Sequence, residues 1–306
     1  TRLKILFAGY HNPHFITVTE YAERALAAAG AEIAFFADRE FIIPGRIRRM
    51  ASFLEDLELK ALNGRLLRRA EKENPDIFFA CGGLRILPST LSGLRGMGIR
   101  TVLWTIDAPN AEFESLFKSA PLYDRVFCGG SEAVELFRNA GIKNAEWLPF
   151  ACDPEVHKAR ELSAEEKRRF GCDICFVGTV NPVFYPQRVK MLESVSDMDL
   201  KVWGPGAENI PAASPLKKCI TGGEMPPELW TKIYSAARMA LCMHYADPGN
   251  KYPCYQASPR VYEAMACGAF LLCDAQKDAM SLFEDGRHLV IFKDVADLLD
   301  KIRYYL

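Results

Sequence analysis

Short apolar runs recur along this chain, each ending in glycine or a polar turn and followed by a longer stretch of helical spacing. Leu3–Gly9 reads as a first strand. Asn12-Pro13 opens a helix in which Val18, Ala22, Ala25, Leu26 and Ala29 hold one face as far as Gly30. Glu32–Ala37 reads as a second strand, Arg46 to about Glu73 as one or two helices with arginines on the wet face, and Pro75–Cys81 as a third strand leaving through Gly82 and Gly83. A helix around Ser89–Met97 leads to an apolar strand that ends at Asp107. Tyr123–Cys128 and a helix from Ser131 to near Gly141 complete a β/α alternation over residues 1–150, the pattern of a parallel sheet.

Leu148–Pro154 breaks that rhythm, and residues 151–171 read as a linker with a short helix. The alternation then restarts with strands at Asp173–Val177, Leu200–Trp203, Met239–His244, Ala269–Asp274 and Leu289–Phe292, separated by helices at Gln187–Ser194, Trp230–Ala237 and 258–268. The expected architecture is α/β. It has an N-terminal Rossmann-like domain over 1–150, a linker over 151–171 and a C-terminal Rossmann-like domain over 172–306, with a ligand cleft between the two domains facing the carboxyl ends of both sheets.

One stretch carries local chemistry of its own. Ser258 suits a helix cap, Pro259 the first helical position, and Gly268 the left-handed exit before a buried strand. Arg260 falls in the first turn beside free N–H groups, and Glu263 lies three residues on, on the same face. A guanidinium and a carboxylate at one helix mouth suit a ligand that joins phosphates to hydroxyls, as a nucleotide sugar does. The alternative is a surface Arg–Glu pair.

Composition narrows the class. Hydrophobic residues make up 49% and charged residues 25%, and the formal net charge of -1 gives no general attraction to nucleic acid. No apolar run approaches the ~20 residues of a membrane span, no signal segment is expected ahead of Leu3, and the last helix carries no stop signal. Most of the ten cysteines sit inside apolar runs, including Cys81, Cys128, Cys175, Cys242 and Cys273, as buried reduced thiols do; this points to the cytoplasm. Cys172 and Cys175 have the spacing of a metal or redox pair but no partner pair. Asp197-Met198-Asp199 precedes a strand and reads as a turn, so no metal site is expected.

The motifs Cys81-Gly82-Gly83, Leu103–Pro109, Leu148–His157, Phe176-Val177-Gly178-Thr179, Pro259–Gly268 and Lys301–Leu306 occur in an order similar to that of bacterial CgeB-like (spore maturation protein) glycosyltransferases. These are GT-B proteins akin to the retaining family-4 enzymes. The resemblance covers nearly the whole chain. It implies a GT-B fold and transfer of a sugar from a nucleotide-diphosphate sugar, UDP-linked, with retention and without a metal or other cofactor. It also implies that Glu263 holds the donor ribose and Arg188 the diphosphate. Many family-4 enzymes carry another acidic residue eight positions before the ribose-binding one; here that position is Tyr255.

The candidate site is drawn from strand ends, the residues just after them and the helix mouths. On the donor side these are Gly178, Thr179, Arg188, Trp203, Gly204, His244, Ser258, Arg260 and Glu263. On the acceptor side Asp107 is a candidate orienting group or base, and His11, with His14 nearby, a candidate contact to acceptor or sugar. Each has a plainer reading: Asp107 as a turn residue before Ala108-Pro109, Arg188 as a surface residue, Trp203 as core, His11 as a polar loop residue. The acceptor is open among glycan, protein and small molecule. Two competing functions are a nucleotide-sugar epimerase and a non-catalytic nucleotide- or glycan-binding protein.

Overall fold

A computed structural model gives the structure of the chain and describes residues 2–13, 16–48, 52–110, 112–223 and 225–306; His14 lies outside them. The chain divides into two compact units, residues 1–148 and 149–306. In the first, β1 (Lys4–Gly9), β2 (Glu32–Ala37), β3 (Ile77–Cys81), β4 (Arg100–Thr105), β5 (Arg125–Cys128) and β6 (Ala145–Trp147) form one parallel sheet in the order β2-β1-β3-β4-β5-β6. In the second, β7 (Ile174–Val177), β8 (Leu200–Trp203), β9 (Ile220–Gly222), β10 (Met239–Cys242), β11 (Leu271–Asp274) and β12 (Val290–Phe292) form another, in the order β12-β11-β10-β7-β8-β9.

Helices on both faces explain why the strands are apolar throughout rather than alternating. Along β7, Ile174 and Phe176 enter one core cluster while Cys175 enters the cluster on the opposite face, as the two-residue period of a strand requires. Each such side chain contributes ~1.5–3 kcal/mol through burial. In the first unit Leu6, Phe78, Leu103, Val126 and Phe137 belong to one cluster.

Two expectations change. The first helix begins at Val18, not at Asn12-Pro13, because a capping box sits further along: Thr17 Oγ1 accepts from the Thr19 N–H, and the Glu20 carboxylate accepts from the Thr17 N–H at 2.7 Å. The 151–171 stretch is part of the second unit rather than a free linker. Its helix Ala164–Phe170 buries Phe170, pairs Glu166 with Lys232, and is preceded by an Arg160 N–H bond to Ser235 Oγ at 3.0 Å.

In each sheet the strand order reverses direction once, between β1 and β3 in the first and between β7 and β10 in the second. The loops leaving the carboxyl ends there diverge to opposite faces and open a crevice, the usual ligand position in open parallel sheets.

Candidate functional site

The second unit's switch point is tied together by Arg188. The helix Pro186–Ser194 projects it inward, where it is 4% exposed. Its Nη1 donates to the Thr179 carbonyl at 2.9 Å, after β7, and its Nη2 to the Met243 carbonyl at 2.8 Å, after β10. The guanidinium also lies over the Tyr185 ring, 4.0 Å from its centroid. Burial, and then the charge of Arg260, lower its pKa. Arg188 therefore braces two strand ends and adds positive charge, with two of its nitrogens committed to carbonyls.

Arg260 is the charged neighbour of Arg188. It comes from the first turn of the helix Pro259–Ala266, where Ser258 occupies the capping position but its hydroxyl makes no cap hydrogen bond. The guanidinium packs on Gly178: a Cβ there would lie 3.0 Å from Arg260 Cζ and Nη1. A side chain on Gly204 would collide with the Gly178 carbonyl, so two glycines let the β7 and β8 exits meet and leave room for Arg260. Arg260 Nη1 is buried without a hydrogen-bond partner among the described residues.

His244, 8% exposed, follows β10 and is held by Asp274 at the end of β11. Its backbone N–H donates to both Asp274 carboxylate oxygens at 3.1 Å, and its Nδ1 is hydrogen-bonded to Asp274 Oδ1. Burial opposes a charge on the ring, but Cys242 and Asp274 outweigh it and raise its pKa. Nε2, like Arg260 Nη1, is buried with no partner among the described residues. An orphaned buried donor is uncommon and costly, and Arg260 Nη1 beside a helix N-terminus suits an anion. The ligand atoms of Cys242, His244 and Cys273 also lie within 4.8 Å of one another, a spacing open to a metal ion.

Glu263 sits one turn along from Arg260, its side chain 13% exposed and its Oε1 3.9 Å from His157 Nε2. Burial pushes its pKa up to about 7, with Arg260 pulling the other way. His157, stacked on Trp230 at 5.0 Å, accepts from the Asp153 N–H on Nδ1, and burial lowers its pKa to about 4. It is thus neutral at pH 7, with the proton on the nitrogen facing Glu263.

The first unit has its own cavity, of about 700 Å³, at the β1/β3 switch point. Tyr10, Asp38, Gly82, Gly83 and Asp107 reach it from the ends of four neighbouring strands. Gly83 (φ 75°) turns tightly enough that a Cβ would strike Leu103. Desolvation raises the pKa of Asp107 against the pull of Arg39, and burial does the same to Asp38.

Of the residues singled out in the sequence, Gly178, Thr179, Arg188, Gly204, His244, Ser258, Arg260 and Glu263 gather around the second switch point, and Asp107 lines the first-unit cavity. Two do not join. Trp203 is 2% exposed and belongs to the core, so its ring offers no face to a ligand. His11 is absent from the cavity lining: its Nε2 bonds Glu23 Oε2 at 2.8 Å and its ring stacks on Phe35 at 3.6 Å. Asp38, Asp274 and His157 were missed as site residues. The first two immediately follow or end strands, a signal present in the sequence; His157 depends on a contact across the fold.

Residues 187–306 match a family model described as glycosyl transferase-like. No curated protein matches the chain. Among solved structures, a sucrose-phosphate synthase from Thermosynechococcus elongatus superposes with a TM-score of 0.69 at 14% identity, covering 99% of this chain and 89% of that one. Anabaena Alr3699/HepE, in complex with UDP and glucose, gives 0.65 at 12% identity over 99% and 89%. An E. coli structure described as trehalose-6-phosphate bound with UDP-2-fluoro glucose gives 0.65 at 12% over 99% and 96%. These likenesses and the two six-stranded parallel sheets define the fold as GT-B.

Proposed function

We propose that this chain is a glycosyltransferase that takes a sugar from a nucleotide-diphosphate sugar, UDP-linked, and passes it with retention to a hydroxyl acceptor without a divalent metal. The observation that carries this reading is the pair of buried, unpartnered nitrogens on Arg260 and His244 beside the mouth of the helix Pro259–Ala266. Two diphosphate oxygens reach these nitrogens, and the charge left on the leaving group is met by Arg260 and a helix N-terminus. Glu263 then accepts from the ribose hydroxyls, since one carboxylate can take two adjacent donors. Asp107 orients the acceptor hydroxyl from the first unit. UDP and UDP-sugars in structures of the same fold support the choice of donor. All ten cysteines are thiols outside any disulfide, eight of them buried, which suits a reducing, cytoplasmic setting. No described helix is long and apolar enough to cross a membrane.

The test is a thermal-shift panel of UDP, GDP and their sugars, followed by nucleotide release with and without EDTA. Binding at 100 Kd raises stability by ~2.7 kcal/mol. The reading requires a shift with a nucleoside diphosphate, and release that survives the chelator. Activity lost with EDTA and restored by metal would move the charge role from the arginine to an ion, with Cys242, His244 and Cys273 the group to examine. Binding with no turnover of any donor would favour a non-catalytic protein, the reading that Tyr255 in place of an acid supports.

A further inference from the structure

We infer that the cavity of the first unit is a binding site for a neutral carbohydrate, gripped through ring hydroxyls by Asp38 and Asp107. The inference deepens the acceptor side of the proposed transferase and rests on that reading for its role in turnover.

Asp38 is the central observation. It directly follows β2, is 6% exposed, lines the cavity, and has one carboxylate oxygen, Oδ1, with no hydrogen-bond partner among the described residues. A buried carboxylate oxygen without a donor is costly, and a ligand that brings hydroxyl donors removes the cost. Asp107 offers a second carboxylate from the end of β4, so two acceptor groups flank one space.

The rest of the lining says which donors fit. Four carboxyl groups, Asp38, Glu55, Asp107 and Glu112, face two guanidiniums, Arg39 and Arg85. That excess of negative charge disfavours a phosphorylated or acidic ligand. Arg39 lies over the Tyr10 ring at 4.8 Å and Arg85 over the Phe41 ring at 4.5 Å, and both rings also line the cavity. Both guanidiniums bring N–H donors and no acceptor. A hydroxyl both donates and accepts, so a polyol matches carboxylates and guanidiniums at once. An acyl chain matches neither. The volume of about 700 Å³ lies within the range of small-molecule sites, ~300–1,000 Å³.

The test exposes the full chain to an array of immobilised neutral and acidic mono- to tetrasaccharides, with UDP binding measured in parallel by calorimetry. Wild type should retain neutral saccharides. Asp38→Asn and Asp107→Asn should each weaken the retained saccharide at least ~10-fold and leave UDP affinity unchanged. Retention of acidic saccharides alone, of no saccharide, or equal binding by wild type and both variants overturns the inference. If UDP binds and no saccharide does, the inference falls while the transferase reading stands. If saccharide binding depends on Asp38 and UDP does not bind, the inference stands and the transferase reading falls.

Discussion

At the first sheet's switch point the strand ends present carboxylates to an open cavity, with the cations laid on aromatic rings. At the second sheet's switch point helices bring in Arg188 and Arg260, beside a histidine tied to Asp274 and the carbonyls and glycine backbones of the strand ends. The backbone topology is nearly the same, with six parallel strands and one reversal in each unit. What differs is the set of side chains that strand ends and neighbouring helices bring to each crevice. Topology supplies the crevice and the side chains brought to it set its charge, so one architecture gathers carboxylates in one unit and guanidiniums with an imidazole in the other.

The sharpest way to break this contrast is Arg260→Ala. Losing one preorganised donor to the leaving group costs ~3–4 kcal/mol of transition-state stabilisation. Turnover, followed as nucleotide release, should fall ~100-fold or more; a change below tenfold would remove Arg260 from the phosphate role. Asp107→Asn should lower the same rate by about two orders of magnitude while calorimetry finds UDP affinity intact. If both fall together, the division of labour between the units is wrong.

Glu263 sharpens the comparison through pH. Its pKa rises from an ordinary 4.5 to about 7 in the folded chain. The native state then binds more protons than the unfolded state between those values, so this group's contribution to stability falls as pH rises through that window. Such a shift corresponds to about 3 kcal/mol. His157, lowered from 6.5 to about 4, works in the opposite direction between its two values. The clean readout is therefore the difference between Glu263→Gln and wild type in urea melts: it should grow from pH 4.5 to 7 in favour of the variant and then level off. A flat difference would show that Glu263 ionises as a surface carboxyl. The same variant should weaken UDP binding ~10-fold, as loss of a charged acceptor does.

The smallest effect on binding should come from Arg188→Met. The brace is lost and two carbonyls lose a donor, so the melting temperature should drop by several degrees. UDP affinity should change less than in Arg260→Ala; the reverse order would make Arg188 the principal phosphate ligand.

Most strands were legible because buried parallel strands are continuous apolar runs, as in Ile5–Ala8 and Met239–Cys242. The edge strands β6, Ala145-Glu146-Trp147, and β9, Ile220–Gly222, are three residues long and half polar, and give no such run. The helix mouth at Ser258–Glu263 was legible because capping chemistry and charge spacing are local. The His244–Asp274 pair was not, because it joins residues 30 apart through the pairing of β10 and β11. Trp203 shows the limit from the other side. Its position at the end of a strand made it a candidate ligand contact, but the pleat turns it into the core.

The cysteines have a practical consequence. Eight of the ten are buried and only Cys152 and Cys254 are partly accessible. Burial pushes the thiols of Cys81, Cys128, Cys172 and Cys267 up to about 12, where they react slowly. Brief alkylation followed by mass spectrometry should place adducts on Cys152 and Cys254 in the folded chain and on all ten after unfolding. Cys254, four residues before Ser258, is then a native attachment point for a fluorophore near the mouth of the helix Pro259–Ala266.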